Sequence, residues 1–447
     1  MAETIVSPGV LTRENDQSQI TSQPVVVGAA LLGPTVKGKP NIPTIVTSYS
    51  DYQSKFGYEF ISGSGATAEN KTFLTSIAAQ NYFANGGETL AVTRIVSNSA
   101  DFTPASSSII EAGTSGGIST VTDNLFDEAT ISTVTGSAGS YTGLALSSDG
   151  TGTGVVVEVT LSDETTISSL SATTAGSGYE IGDILTIPSQ SIGYAAAGGT
   201  DTTITLVAAN IVDIQAFELE TLSEGAILNR TSTLGTGGIL PSGTADNFRW
   251  EIANSNTTNG TFTLIIRRGD DRTNNKSILE TFTNLSLDPR SPNYISRQIG
   301  NQVQTLRGSG TDVYLQTTGS FRNASRYVRV KEVNLNTPDY LDNNGVAKDQ
   351  FTGSIPINQS GTFGAATGEV YEGADTLYEK INSSKTQGLV GVSYTDAINL
   401  HANKDDFRFN VISAPGLYYE GYSTQVNRLI EVCENRGDSI AVVEYIN

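Results

Sequence analysis

A chain of 447 residues exceeds what one hydrophobic core serves, and at about 150 residues per domain it predicts two to four units. Its make-up of 37% hydrophobic and 16% charged residues with 46 Gly suits β-rich, loop-rich modules better than helical bundles. A net charge of −20 argues against a nucleic-acid surface, because phosphates need Lys and Arg. No apolar run approaches the ~20 residues that cross a bilayer, so no membrane insertion is expected. The opening MAETIVSPGVLTREND has neither a basic region nor an apolar one, so no secretory signal is expected. Without one, Asn-x-Ser/Thr triplets such as that at Asn284 carry no weight. Cys433 is the single cysteine, which excludes an internal disulfide and a thiolate metal cluster.

Residues 1–22 are polar and lack periodicity, with a turn at SPGV, and read as an extended arm. PVVVGAALLGP is a continuous apolar run ended by Gly33 and Pro34, the pattern of a buried strand. TIVTSYSDYQSKFG predicts a strand, a Ser/Asp cap and a short helix closed by Gly57. ENKTFLTSIAAQNYFANGG places Phe73, Leu74, Ile77, Ala78 and Phe83 at helical spacing, with Gly86 and Gly87 as the stop. TLAVTRIV is again a strand, and the β-α-β succession predicts a mixed α/β core.

The composition then changes. From Val96 to Asn229 there are 16 acidic residues and no Lys or Arg, so this stretch carries −16 of the −20. So sharp a shift marks a boundary. GVVVEVTLS, TISSLSAT, DILTIP and TTITLVAAN are short strand-like runs separated by Gly, Ser, Asp and Thr. They predict an acidic β domain over 97–215, inserted into the core and kept soluble by self-repulsion. A cation site is the sharper alternative, but the acids do not spell a calcium loop. DGTGTGV at 149–155 lacks the full GxGxxG spacing, the following helix and the distal ribose-binding acid of a dinucleotide loop.

Beyond residue 230, NFRWEIAN and TFTLIIRRGDD alternate as strands of hairpins, and RSPNYISRQIGNQV predicts a short helix with Pro292 near its start. GADTLYEKINSSKTQGLVG predicts a helix ending near Gly388, and FRFNVISAPG a strand ended by Pro415-Gly416. STQVNRLIEVCENRG is amphipathic, with Val426, Leu429, Ile430 and Cys433 on one face and Gly437 as its stop. SIAVVEYI follows as a strand, giving a parallel βαβ unit.

Chemistry-bearing residues are few. His401 is the only histidine, no GxSxG elbow accompanies it, and it reads as a structural or exposed residue. Cys433 reads as core. Asp405-Asp406 and Asp270-Asp271 are sequence neighbours whose side chains point apart, so neither pair forms a two-carboxylate site. Arg267, Arg268 and Arg272 surround Asp270-Asp271. This mixed-sign cluster reads either as a surface hairpin tip or as an intersubunit ion-pair patch, where charge gives specificity more than affinity. No catalytic residue, metal or cofactor is expected.

Several segments together resemble the tail sheath proteins of contractile-tailed bacteriophages. They are SPGVLTREND, VVVGAALLGPTVKGKPNIPTIVTSYSDYQSKFG, NYFANGGETLAVTRI, LETFTNLSLDPRSPNYISRQIG, NKDDFRFNVISAPGL and RLIEVCENRGDSIAVVE. They run in the family's order over about 5–95 and 215–445 and skip the acidic stretch. Each alone is weak; the ordered set is specific. The resemblance implies an α+β or α/β multidomain chain whose mixed-sheet, subtilisin-like core has no peptidase activity and carries the inserted all-β domain. It divides the chain into an arm at 1–22, core at 23–96, insert at 97–215 and core at 216–447. Sheath proteins continue into a further C-terminal domain and arm. This sequence stops at Asn447, after a predicted strand, so it is expected to lack both.

The function so implied is structural. Copies form hexameric rings stacked helically around a tail tube protein, with baseplate and tail terminator proteins as further partners. Contraction drives the tube through the host envelope, with no direct nucleic-acid contact. The chain would be assembled in the host cytoplasm and reside in the virion. The alternative is a virion surface module whose insert binds host glycan or another capsid part.

Overall fold

The near-continuous apolar run from Val26 to Gly33 forms the central strand of a five-stranded sheet. The computed structural model describes residues 26–62, 69–114, 116–194, 199–228, 246–272, 274–368 and 381–445. The expected arm at 1–22 lies outside them. Across the sheet the order is Thr44–Val46, Leu90–Arg94, Val26–Gly33, Arg408–Tyr418 and Ile440–Glu444. Every pairing is parallel except that of Thr44–Val46. Parallel strands need cover on both faces. Leu31 packs toward helix Tyr49–Phe56 and helix Leu74–Ala84, whereas Ala30 and Leu32 pack toward helix Thr395–Leu400 and helix Ser423–Arg436.

Local signals account for most of these elements. Ser48 Oγ accepts from the Asp51 amide at 3.1 Å to start helix Tyr49–Phe56, and Gly57 ends it at φ 73°. Helix Leu74–Ala84 differs from its expected face: Thr75, Ser76 and Ala79 are buried, and Ile77 points outward. The helix lies too close to the sheet for large residues; a Cβ on Gly33 would stand 2.2 Å from Thr75 Oγ1. The preceding ENKT is a strand, Glu69–Thr72, paired with Glu59–Ser62.

Of the helix expected to end near Gly388, the part before residue 381 lies outside the described residues, and the part from 381 on is not helical. Asn382 Oδ1 accepts the Ser384 and Lys385 amides, and Thr386 exchanges backbone hydrogen bonds with Leu389, so Asn and Gln387 build turns there. Helix Thr395–Leu400, which carries no clear periodic signal in the sequence, follows. Strand Arg408–Tyr418 runs through Pro415-Gly416 instead of stopping. The ladder slips after Ser413 and resumes at Tyr418, because Pro lacks a donor and Gly416 takes φ 84°.

A second, antiparallel sheet has seven strands, in the order Ile278–Ser286, Thr261–Arg268, Phe248–Asn256, Gln359–Gly364, Pro104–Ser107, Phe217–Glu224 and Val328–Val333. Trp250, Phe217, Phe262 and Phe363 fill its core. Two expected boundaries are corrected here. Pro104–Ser107 belongs to this sheet, so the inserted module starts later than 97. The single core expected at 216–447 is divided, its hairpins in the second sheet and its βαβ unit in the first.

The acidic insert proper leaves and returns through the two-residue ladder of Gly117–Ile118 with Ile211–Val212. Its strands coincide with the apolar runs of the sequence. Thr153–Asp163 lies between Gly139–Ala145 and Thr166–Ser177, and a smaller sheet contains Ile184–Ile187 and Thr202–Thr205. Its core is its own, built from Val155, Val157, Leu170, Leu185, Ile204 and their neighbours. The fold is α+β, with one insertion nested inside another.

Two groups of contacts between the unit of the first sheet and that of the second matter most here, one centred on Arg94 and one on Asn399. Arg94, 1% exposed at the end of its strand, donates through Nη1 to the carbonyls of Gly38 and Glu224, both at 2.6 Å. The hairpin of Val303–Arg307 with Tyr314–Thr318 pairs only with itself. Its tip carbonyl at Gly310 accepts from Asn399 Nδ2 at 2.8 Å, and Asn399 Oδ1 accepts from Arg428 Nε at 2.8 Å. A lone two-stranded hairpin is marginal in water, so this tip contact holds it.

Arg94→Ala orphans two buried carbonyls and is expected to lower unfolding stability by about 2–5 kcal/mol in urea titration, with Arg94→Lys restoring only part. Asn399→Ala is expected to speed amide exchange over 303–318 while leaving exchange in the seven-stranded sheet unchanged; slow exchange retained at 303–318 would remove the anchoring role.

Candidate assembly surface

The residues with catalytic potential are buried in structural roles. His401 is 0% exposed. Its Nδ1 donates to the Ala397 carbonyl at 2.8 Å, and its Nε2 accepts from the Thr93 hydroxyl at 3.4 Å. The ring stacks on Phe407 with centroids 5.4 Å apart, and its own carbonyl accepts from Arg436. Burial, with the nearby Arg436 cation, pushes its pKa down to about 4 despite the Ala397 hydrogen bond. Cys433 is buried on helix Ser423–Arg436, as expected, and burial pushes its thiol up. That is the opposite of what a nucleophile requires.

The helix buries Val426, Leu429, Val432 and Arg436 alongside Cys433, while Ile430 is only partly covered. Asp405 and Asp406 lie in an exposed turn organised by Asn403. The GTGTG run enters strand Thr153–Asp163, not a helix, so no helix N-terminus stands behind it to hold a phosphate. Its Gly152 faces the Tyr179 ring so closely that a Cβ would come within 2.0 Å.

The mixed-sign cluster separates into an inner and an outer set. Arg267, 2% exposed, and Asp271, 4% exposed, are interior, which corrects the reading of these two residues as part of a surface hairpin tip or of an intersubunit ion-pair patch. Arg267 faces Asp271 through Nε at 2.7 Å and Nη2 at 3.0 Å, and Glu251 through Nη1 at 2.9 Å. Asp271 also accepts from Arg249 at 2.9 Å and from the Ser277 amide at 3.0 Å. The reason is register. Arg249 and Arg267 are cross-strand partners, and Asp271 at the turn folds back between them. Arg268, Asp270 and Arg272 stay outside, with Arg268 paired to Asp270. Arg249 carries no sequence signal of this role. It stands alone in NFRWEIAN, and only the strand pairing brings it to Asp271.

The first sheet presents an open edge. Strand Ile440–Glu444 pairs with Arg408–Tyr418 on one side and with no strand on the other among the described residues. Helix Ser423–Arg436 covers one of its faces through Ala441. On the strand, Ile440 is 69% exposed and Val442 52%. Beside it, Tyr419 and Tyr445 stack with both rings partly in solvent. Edge strands ordinarily carry charge, a bulge or a covering segment. A flat, apolar one is a template for another strand.

No protein-family model matches the chain, and comparison with curated proteins finds no match either. Among the described residues no group of three or more His, Cys, Asp or Glu is placed to hold a metal ion, and no helix is long and apolar enough to cross a membrane.

His401 gives a pH signature. Its folded pKa lies below the unfolded one, so stability is full above about pH 6.5 and falls as pH drops toward 4. The loss from this group is about 3 kcal/mol. Between pH 7 and 4, His401→Gln should show a flatter stability profile than the wild type in denaturant titrations, and parallel profiles would remove the histidine from this account.

Proposed function

We propose that this chain is a structural subunit of a contractile phage tail sheath. The observation that carries the reading is the open apolar edge at Ile440–Glu444, a ready acceptor for a strand from another copy. The ordered set of sheath-like segments supports it. Five of the six lie wholly or largely within the described residues. Four of them, spanning the first sheet, supply the strands at 26–33, 44–46, 90–94, 408–418 and 440–444. LETFTNLSLDPRSPNYISRQIG supplies strand Ile278–Ser286 and helix Ile295–Ile299 of the second unit.

In this reading the first unit is the mixed-sheet core of a subtilisin-like fold used without peptidase chemistry. The histidine and cysteine are occupied in packing, which suits a subunit whose work is mechanical. Copies assemble as stacked hexameric rings around a tail tube, bounded by baseplate and terminator proteins, and the assembly resides in the virion. Contraction moves rigid subunits between two lattices, so the subunit must hold its shape while its edge contacts carry the load. The two inter-sheet ties meet the first requirement and the open strand meets the second. Acid self-repulsion keeps the insert on the outside of such a lattice, away from DNA.

Electron microscopy of the purified chain is expected to show tubes or helical sheaths. Val442→Lys places a charge on the open strand and is expected to abolish them without changing thermal unfolding. Discrete monomers under all conditions in the wild type would overturn the reading.

A further inference from the structure

The turn that joins Thr261–Arg268 to Ile278–Ser286 is positive in a strongly negative molecule. Arg249, Arg267, Arg268, Arg272 and Lys276 gather there with Glu251, Asp270 and Asp271, five bases to three acids. The inner residues neutralise one another: Asp271 lies between Arg249 and Arg267, and Glu251 takes Arg267 and Lys276. The excess charge faces outward. Arg268 shares Asp270, and the exposed Arg272 has no ion-pair partner among the described residues. The excess is felt inside as well. Burial and the like charge of Arg267 push the Arg249 guanidinium below its usual range, and its buried Nε has no hydrogen-bond partner. Arg268, Arg272, Asn275 and Lys276 line a cleft of about 330 Å³ here together with Asp270, Asp271 and Ser277, and Arg272 is its one base without an ion pair among the described residues.

An anion of side-chain size suits this cleft, and the chain carries a concentrated supply. Its insert has no base at all, and the tip of its longest hairpin, between Thr153–Asp163 and Thr166–Ser177, exposes Asp163 and Glu164. At about 3.3 Å per residue, the 11-residue strand reaches about 36 Å. Asp163 is already committed to its own turn, accepting from the Thr165 amide and hydroxyl, which leaves Glu164 as the free carboxylate.

We propose that the Arg268–Arg272–Lys276 cleft receives the acidic hairpin tip of a second copy, with Glu164 paired to Arg272. The contact rests on the reading of the chain as a polymerising subunit and names one of its lateral interfaces. Such a pair, formed at a wet rim, sets register and association rate and weakens with salt.

A charge swap tests it in the full chain. Arg272→Glu and Glu164→Lys each remove no ion pair within the subunit, so both variants are expected to fold as the wild type does. Each is expected to raise the concentration threshold for assembly, read by light scattering and microscopy, by about tenfold. Combined in one chain they are expected to restore most of it, with a coupling that shrinks in about 0.5 M salt. Wild-type thresholds in Arg272→Glu would overturn the cleft as a contact. Loss in Arg272→Glu with none in Glu164→Lys, or no restoration in the double variant, would overturn the insert as its occupant. A wild-type chain that never assembles would instead overturn the sheath reading along with it.

Discussion

Arg94 is the point on which the two sheets turn. It ends a central strand of the first sheet, and its guanidinium joins a loop of that unit, at Gly38, to a strand of the second, at Glu224. Phe102, on the segment that crosses between them, lies under its charged plane at 4.9 Å. Burial pushes its pKa down to about 9, against the pull of Glu224, so it stays charged at neutral pH. Two ion pairs flank it, Lys39 with Glu224 at 3.0 Å and Lys37 with Asp246 at 3.1 Å. Glu224 is raised by burial and restrained by Lys39 and Arg94, so each charge is tolerated only because the others are there. Nη1 alone serves both carbonyls, and the planar guanidinium lies over the Phe102 ring, a stacking that an ammonium does not reproduce.

The nested topology makes that junction necessary. The chain leaves the first sheet after residue 94, builds all seven strands of the second, and returns only at 408. The strands on either side of this excursion are neighbours in sequence order only within their own sheets. Without the junction the second sheet would hang from two crossings. The hairpin whose tip meets Asn399 adds a second tie, well separated in sequence from the Arg94 contact. The neck of the insert is held by the short ladder at Gly117–Ile118 and by the amides of Gly113 and Thr114, which donate to the carbonyls of Ile355 and Gly353. Its own core lets it be a separate body, as its charge had already suggested.

Local chemistry was legible in the residues; pairing between distant segments was not. Ser48, Gly57, Gly437 and the apolar runs marked their elements because caps and strand interiors are decided within a few residues. The boundary at 97 misled because base-free composition begins before the insert does, while Pro104–Ser107 is recruited by strands that lie far off in sequence. The face of helix Leu74–Ala84 misled for a related reason. Its packing distance is set by Gly33 on another element, so small residues went inside where apolar periodicity pointed to large ones. In the mixed-sign cluster the residue types were visible, but which were inside depended on the register that sets Arg249 opposite Arg267.

The same logic separates charges that hold the subunit from charges available to bind. Arg94, Arg249, Arg267 and Asp271 are dry, and each is fixed by partners whose removal would leave an unpaired buried group. In the proposed sheath such residues could not also exchange partners between two lattices. Arg272, Glu164 and the apolar edge at Ile440–Glu444 lie in solvent and can form or release contacts without that cost. A subunit that moved as a rigid body, as proposed for this chain, would need this division: interior charge to lock shape, and outer charge and open backbone for its neighbours.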